Sequence, residues 1–389
     1  MVKKKTIDLP ENISKEDSAD LEKIFDKINK LNPDATTLDE SSLSNVTDWI
    51  DTGSYALNAI CSGSLFKGVP GGRVSGFYGP SATGKTLIVN QIMANAQKKG
   101  YKIVYFDSES ALDTGTAERL GCNLSGIKWV PVEYIEECRN QIISLLTNLI
   151  EKNLKKKVLI AIDSLGNLSS MKEANDALEG KNAADMGLRA KTLSSMMRLL
   201  TYKAAKAEVP VIFTNHIYES PAEMYPSLVK KQPGGLKHLY ISSLLIQLST
   251  TLEKATAENE DTGGLFSKKV IGANLRALTT KNRFVPPYIE TNMFLNYKTG
   301  LDKYAGLFDL AVSGGMIKQE GPTCSMNGKK LGYASTFAND PNFWTMEVLK
   351  QLDELIQNEL SFSNKKYENL QNEADIAVKS GTLSTSDKE

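Results

Sequence analysis

Eight consecutive residues restrict this chain more than any other feature. Gly79-Pro80-Ser81-Ala82-Thr83-Gly84-Lys85-Thr86 is a complete G-x-x-x-x-G-K-[ST] phosphate-binding loop. Such a loop needs a strand before it and a helix after it, because its backbone N–H groups close around an anion at a helix N-terminus. Both flanks are present: Val74 to Tyr78 reads as a strand, and Leu87 to Lys99 as a helix closed by Gly100. Lys85 is then placed to reach the β and γ phosphates of a nucleotide, and Thr86 to offer a hydroxyl to Mg²⁺. The bland alternative, a glycine-rich turn, does not explain this strand-loop-helix frame.

Three further runs, Ile103 to Phe106, Val158 to Ile162 and Val211 to Thr214, are short, continuous and rich in β-branched or aromatic residues. Strands buried on both faces have this pattern, and helical stretches lie between them. The expected fold class is therefore α/β, with a mostly parallel central sheet flanked by helices over residues 46–300. Residues 1–45 form a polar arm with one helix, in which Leu21, Ile24, Phe25, Ile28 and Leu31 recur at helical spacing. Ser14 and Asp17 suit its start, and Asn32-Pro33 its end. That stripe packs either on its own domain or on a neighbouring subunit. Residues 301–360 read as a small α+β domain ending in a helix from about Asn342 to Leu360, and 361–389 as a flexible polar tail.

Composition sets limits. The 389 residues hold 46 Lys plus Arg and 46 Asp plus Glu, so no uniform charge advertises a polyanionic or polycationic partner. Cys61, Cys122, Cys138 and Cys324 are too scattered for a disulfide framework or a zinc site, which points to a reducing compartment. The basic start lacks the apolar stretch of a signal peptide, and no run approaches the roughly 18 apolar residues of a membrane span. A cytoplasmic location is expected, with no membrane partner.

A nucleotide hydrolase needs a carboxylate for its metal and a second group to orient water. Asp163 ends the run Val158 to Ile162, at the sheet edge where the phosphate loop also lies, and is assigned to Mg²⁺ together with Thr86. Asp107 and Glu109 follow a second strand, and Glu109, past the strand end, is the better candidate base. Acids at such turns are as often helix caps; the phosphate loop upstream tips the balance toward catalysis. Residues 181–240 carry nine Lys or Arg against four acids, flanking two connecting segments, 169–184 and 218–237. A solvated helix face explains most such runs. Long loops with Gly234-Gly235, cations and Tyr225 also suit a phosphate backbone with base stacking.

With these residues assembled, the chain resembles the RecA-type DNA recombinases over roughly residues 46–360, and within them the bacteriophage UvsX-like branch. The motifs are Thr52-Gly-Ser-Tyr-Ala-Leu, Phe77 to Thr86, Tyr105-Phe-Asp-Ser-Glu-Ser-Ala-Leu-Asp113, Ile160-Ala-Ile-Asp-Ser-Leu-Gly-Asn-Leu168, Asp185-Met-Gly-Leu-Arg-Ala-Lys191, Phe213-Thr-Asn-His-Ile217 and Lys281-Asn-Arg283. The resemblance implies a RecA-type ATPase core using ATP and Mg²⁺, with Glu109 as water-activating glutamate and His216 as sensor of the γ phosphate. Read alone, His216 could be a satisfied buried histidine, a reading that its place at a strand tip disfavours. Lys281 and Arg283 match a basic pair inserted into the neighbouring subunit's ATP site, and Asp113 and Tyr297 fall at nucleotide-contacting positions. Met186, Gly187, Arg189, Lys191 and Arg198 match the first DNA-binding loop and its helix. The second loop covers about 218–237, with Tyr225, Lys230, Lys231, Gly234, Gly235 and Lys237.

Two departures stand out. Thr116 occupies the place of an adenine-stacking tyrosine, and Gly234-Gly235-Leu236 replaces the usual Gly-Gly-Asn. The implied function is an ATP-dependent recombinase, a DNA-dependent ATPase that polymerises on single-stranded DNA and drives homologous pairing and strand exchange with double-stranded DNA. It would act in recombination, repair and recombination-dependent replication. Implied partners are further copies in a helical filament, a single-strand binding protein and a loading mediator, in a host cytoplasm if phage-encoded. The rival readings are a hexameric RecA-fold helicase and a non-catalytic mediator that binds ATP only to assemble.

Overall fold

The computed structural model describes residues 15–32, 34–38, 41, 43–110, 112–180, 186–217, 230, 241–254 and 270–360. The chain divides into two units, Met1–Asn45 and Val46–Glu389. In the first, α1 (Lys15–Leu31) carries the expected apolar stripe. Ser14 and Pro33, read as its start and stop, lie outside the described residues.

The second unit opens with β1 (Trp49–Ile50), α2 (Tyr55–Ser62) and β2 (Val69–Pro70), followed by β3 (Val74–Tyr78) and α3 (Lys85–Lys98). Next come β4 (Lys102–Asp107), α4 (Thr114–Arg119), β5 (Ile127–Pro131), α5 (Ile135–Glu151), β6 (Val158–Asp163), α6 (Met171–Leu178), α7 (Met186–Ala207) and β7 (Val211–Asn215). Three longer strands, β8 (Leu244–Lys254), β9 (Val270–Asn282) and β10 (Glu290–Asn296), lead to β11 (Gly300–Leu301). One sheet takes nine of these strands in the order β11-β10-β9-β8-β3-β7-β6-β4-β5. From β8 to β5 all neighbours are parallel, whereas β9, β10 and β11 pair antiparallel.

The sheet is mostly parallel and covered on both faces, as continuous apolar strands require. β3, β6 and β7 are buried at every residue. On one face Phe77, Tyr105, Ala161 and Ile212 pack with Ile88, Ile92 and Met93 of α3. On the other, Phe106, Ile160, Ile162 and Phe213 pack with Ile142 and Leu146 of α5 and Met197 and Leu200 of α7. Gly76 is a packing requirement, because a Cβ there would sit 2.3 Å from the Phe213 ring.

The C-terminal part adds α8 (Leu307–Ser313), a three-stranded antiparallel sheet of β12 (Ile317–Glu320), β13 (Thr323–Met326) and β14 (Lys329–Tyr333), and α9 (Met346–Leu360). The helix expected from Asn342 starts four residues later. Asp340 accepts the Asn342 backbone N–H at 2.9 Å, and Trp344 Nε1 donates to Ala338 O at 2.8 Å, so this segment is folded into a turn. Leu307, Ile317, Trp344 and Leu352 share a core with Tyr55, Ala59 and Leu65 from the α2 region. Buried Asp353 on α9 closes the joint by accepting from Leu65 N at 2.6 Å and Ser64 Oγ at 3.2 Å. Asp353→Ala leaves the buried Leu65 N–H without its charged acceptor. It should lower stability by about 1.5–3 kcal/mol, read in denaturant unfolding followed by Trp fluorescence.

Candidate functional site

Parallel strands bring their C-terminal ends to one edge, and the polar residues that end β3, β4, β6 and β7 meet there. The Gly79–Thr86 loop leaves β3 and enters α3 through Gly84, whose φ of 75° is left-handed and favours glycine. No side chain caps α3, so its first N–H groups face the loop, as an anion site requires. Lys85 is buried, and its Nζ donates to Gly79 O at 3.0 Å and Pro80 O at 2.7 Å. Burial lowers its pKa, an effect partly opposed by the charges of Asp163 and Glu109. Thr83 Oγ1 donates to Pro80 O at 2.9 Å and braces the turn.

Asp163, the last residue of β6, accepts a hydrogen bond from Thr86 Oγ1 at 2.7 Å. It also accepts one from Tyr105 OH at 2.8 Å and one from Thr214 Oγ1. A cis peptide bond joins Asp163 to Ser164. Glu109 lies beyond β4, where its Oε1 accepts from Ser164 Oγ at 2.5 Å and sits 2.9 Å from His216 Nε2. With Glu109 ionised, that His216 nitrogen carries the hydrogen. Burial alone would raise the Glu109 pKa. The hydrogen bonds from Ser164 and His216, with the charges of His216 and Lys85, more than offset this and hold the carboxyl below its ordinary range. Asp107, by contrast, is a structural brace. Its Oδ1 takes the backbone N–H groups of Glu109 at 3.0 Å and Ser110 at 2.7 Å, and its Oδ2 takes Trp129 Nε1 at 3.0 Å.

The donor set is oxygen only: a threonine hydroxyl and a carboxylate beside a phosphate loop. It fits a hard cation held largely by water and phosphate oxygens, which is the habit of Mg²⁺. Among the described residues no cluster of three or more His, Cys, Asp or Glu could cage a metal.

Other candidate residues lie elsewhere. Asp113 caps α4 by accepting from Thr116 N at 2.7 Å. Tyr297 follows β10, whose Leu295 lies against Gly84, so it stands at the same sheet edge as the loop. Lys281 and Arg283 are at the opposite edge. Lys281 pairs with Leu245, Arg283 N donates to Ser243 O at 3.1 Å, and Ser243 N donates to Val74 O at 2.9 Å. Arg283 is level with Val74, five residues or about 16 Å along β3 from Gly79, and Lys281 is level with Gly76, three residues or about 10 Å, each of them two strands or about 10 Å to the side. Neither cation reaches the phosphate loop of its own chain. Asn282 pins the pair, its Nδ2 donating to Ile60 O at 2.9 Å and Cys61 O at 3.0 Å.

Along α7, exposed Lys191 and Arg198 are two helical turns apart on one stripe, with Gly187 one turn before Lys191. Arg189 is used differently, donating to Leu168 O at 3.0 Å and to Gly166 O, which ties the start of α7 to the turn that follows β6. Lys230 N donates to Gln247 Oε1 at 2.8 Å. Met186 opens α7. Tyr225, Lys231, Gly234, Gly235 and Lys237 lie outside the described residues. The sequence reading missed Tyr105, Thr214 and Ser164. The signal for Thr214 was a hydroxyl two residues before His216.

Burial, then the neighbouring Arg283 charge, depresses the Lys281 pKa to about 8. A lysine lowered in this way is charged below that value and neutral above it. Any contact from Lys281 to an anion should therefore weaken as pH rises through about 8, and Lys281→Arg should flatten that dependence. Nucleotide-dependent assembly measured by light scattering across this range checks it.

Residues 19–302 match the model of the RecA N-terminal domain. The chain is 29% identical over 290 residues to the protein RecA of Caulobacter sp. (strain K31), covering 72% of this chain and 76% of that protein. It is 30% identical over 296 residues to the protein RecA of Rhizobium leguminosarum bv. viciae, covering 75% and 78% respectively. The protein RecA of Leptospira biflexa is 29% identical over 290 residues, 72% of this chain and 70% of its own length.

Proposed function

The chain belongs to the RecA family, and from that membership we propose an ATP-dependent recombinase that assembles on single-stranded DNA, pairs it with homologous duplex and exchanges strands. The observation that carries this reading is the meeting of Thr86, Asp163, Glu109 and His216 around one phosphate loop. A bound Mg²⁺ would neutralise charge developing on the β and γ phosphates. Lys85, already in the loop, exchanges its carbonyl partners for phosphate oxygens. The Glu109 carboxylate has both of its side-chain hydrogen bonds on Oε1, and it orients water through Oε2. Its low pKa keeps it ionised, so it is ready as an acceptor at neutral pH.

His216 touches Glu109 and stands two residues before the candidate second DNA loop, 218–237. It is placed to report the state of the phosphates to that loop. Lys281 and Arg283, out of reach of their own phosphate loop, serve the site of the next subunit. Repeated head to tail, that contact builds an open helical filament rather than a closed pair. The α1 arm supplies a further subunit contact, and Asp113 and Tyr297 contact the base and ribose side.

DNA contact falls to Met186, Gly187, Lys191 and Arg198, and to Tyr225, Lys230, Lys231, Gly234, Gly235 and Lys237 of the second loop. Arg189 holds the first loop in place. Asn215-His216 at the end of β7 supports membership of the phage branch, with work in recombination-dependent replication. A cytoplasmic setting, a single-strand binding protein and a loading mediator complete the reading.

The test is ATP hydrolysis with and without single-stranded DNA. Wild type should be stimulated by DNA, and Lys85→Ala should lose ATP binding and turnover together. Glu109→Gln should keep ATP and DNA binding while turnover falls about 10²- to 10⁴-fold. A wild type indifferent to DNA overturns the recombinase reading.

A further inference from the structure

Asp163 is held from both neighbouring strands as well as from the phosphate loop. β6 lies between β7 and β4, and the registers pair Ile212 and Tyr105 with the same residue, Ala161. Side chains two residues apart share a face, so Tyr105, Asp163 and Thr214 all project to the side covered by α3. Tyr105 is 1% exposed, and its ring runs beside the small Ala161 to bring the phenol to the strand tip. A carboxylate offers about four lone-pair positions. Tyr105 and Thr86 use Oδ2, and Thr214 uses Oδ1.

These three bonds differ in duty. Thr86 is the hydroxyl suited to a cation, because it could offer a lone pair to the ion while its O–H still donates to Asp163. Tyr105 and Thr214 have no such second duty. Their hydroxyls are enclosed, and Asp163 is the acceptor each one has.

We propose that Tyr105 and Thr214 are positioning residues that fix the Asp163 carboxylate for Mg²⁺. The inference rests on the reading of Asp163 as the carboxylate that serves the cation. Without the two hydroxyls the carboxylate turns about its broad terminal torsion and must be ordered by the ion itself. Partners of metal-serving groups typically set affinity by tenfold to hundredfold.

The experiment is equilibrium binding of a fluorescent ATP analogue titrated with Mg²⁺, with thermal unfolding of the nucleotide-free protein measured in parallel. Tyr105→Phe and Thr214→Val each remove a hydroxyl at nearly constant shape. Each should raise the half-saturating Mg²⁺ concentration about tenfold or more, and Thr214→Ser should titrate as wild type. If both variants keep the wild-type Mg²⁺ midpoint, whether or not they melt earlier, the positioning role is overturned. Should Tyr105→Phe not fold, the Thr214→Val and Thr214→Ser pair decides alone. Asp163→Asn separates the two levels of the argument. An unchanged Mg²⁺ midpoint there overturns the reading of Asp163 itself. A shifted midpoint there, with Tyr105→Phe and Thr214→Val unmoved, overturns only the present inference.

Discussion

The site depends on one unfavourable act, the burial of the Asp163 carboxylate at the end of a central strand. A charge 4% exposed persists only if its lone pairs are satisfied. Its partners among the described residues are hydroxyls from the phosphate loop and from both flanking strands. Satisfying one carboxylate therefore ties β4, β6, β7 and the start of α3 together at their tips. Ser164 extends that tie to Glu109, and Glu109 to His216. The stability of the buried charge and the arrangement of the reacting groups are the same set of hydrogen bonds.

The sheet separates two kinds of positive charge. Lys85 is folded into the loop at one edge, whereas Lys281 and Arg283 are held at the other by Asn282. β9 runs antiparallel to β8, and this reversal carries the basic pair away from the phosphates. On the proposed reading, one copy has the parts of a complete site without being able to assemble them.

Much of the fold was legible because parallel strands buried on both faces leave little choice of residue. The run Val74 to Tyr78 coincides with β3, and the other three named strands extend only by residues such as Asp107, Asp163 and Asn215. Those polar ends continue the backbone ladder, which is indifferent to side-chain polarity. β9 and β10 were not named, because alternating antiparallel strands toward a sheet margin lack the continuous apolar signature, and β8, parallel to β3 but antiparallel to β9, turns polar after its opening Leu244-Leu245-Ile246. In the site, the loop and the two acids announced themselves by residue type. Tyr105 and Thr214 did not, since an aromatic and a β-branched residue in a strand look like packing. Arg189 shows the reverse error: a cation in a basic stretch looks like a DNA contact, yet its guanidinium is spent on Gly166 and Leu168.

The distance between the two edges of the sheet also has a consequence for counting. If each complete site draws its phosphate loop from one copy and its basic pair from the next, an open row of subunits always contains one fewer complete site than it has members. The two ends of the row are then chemically unlike. One presents a loop still waiting for cations, and the other presents cations with no loop to serve. Growth and loss of subunits at these ends need not be equal, so a direction along the row is already written into the sheet of the single chain.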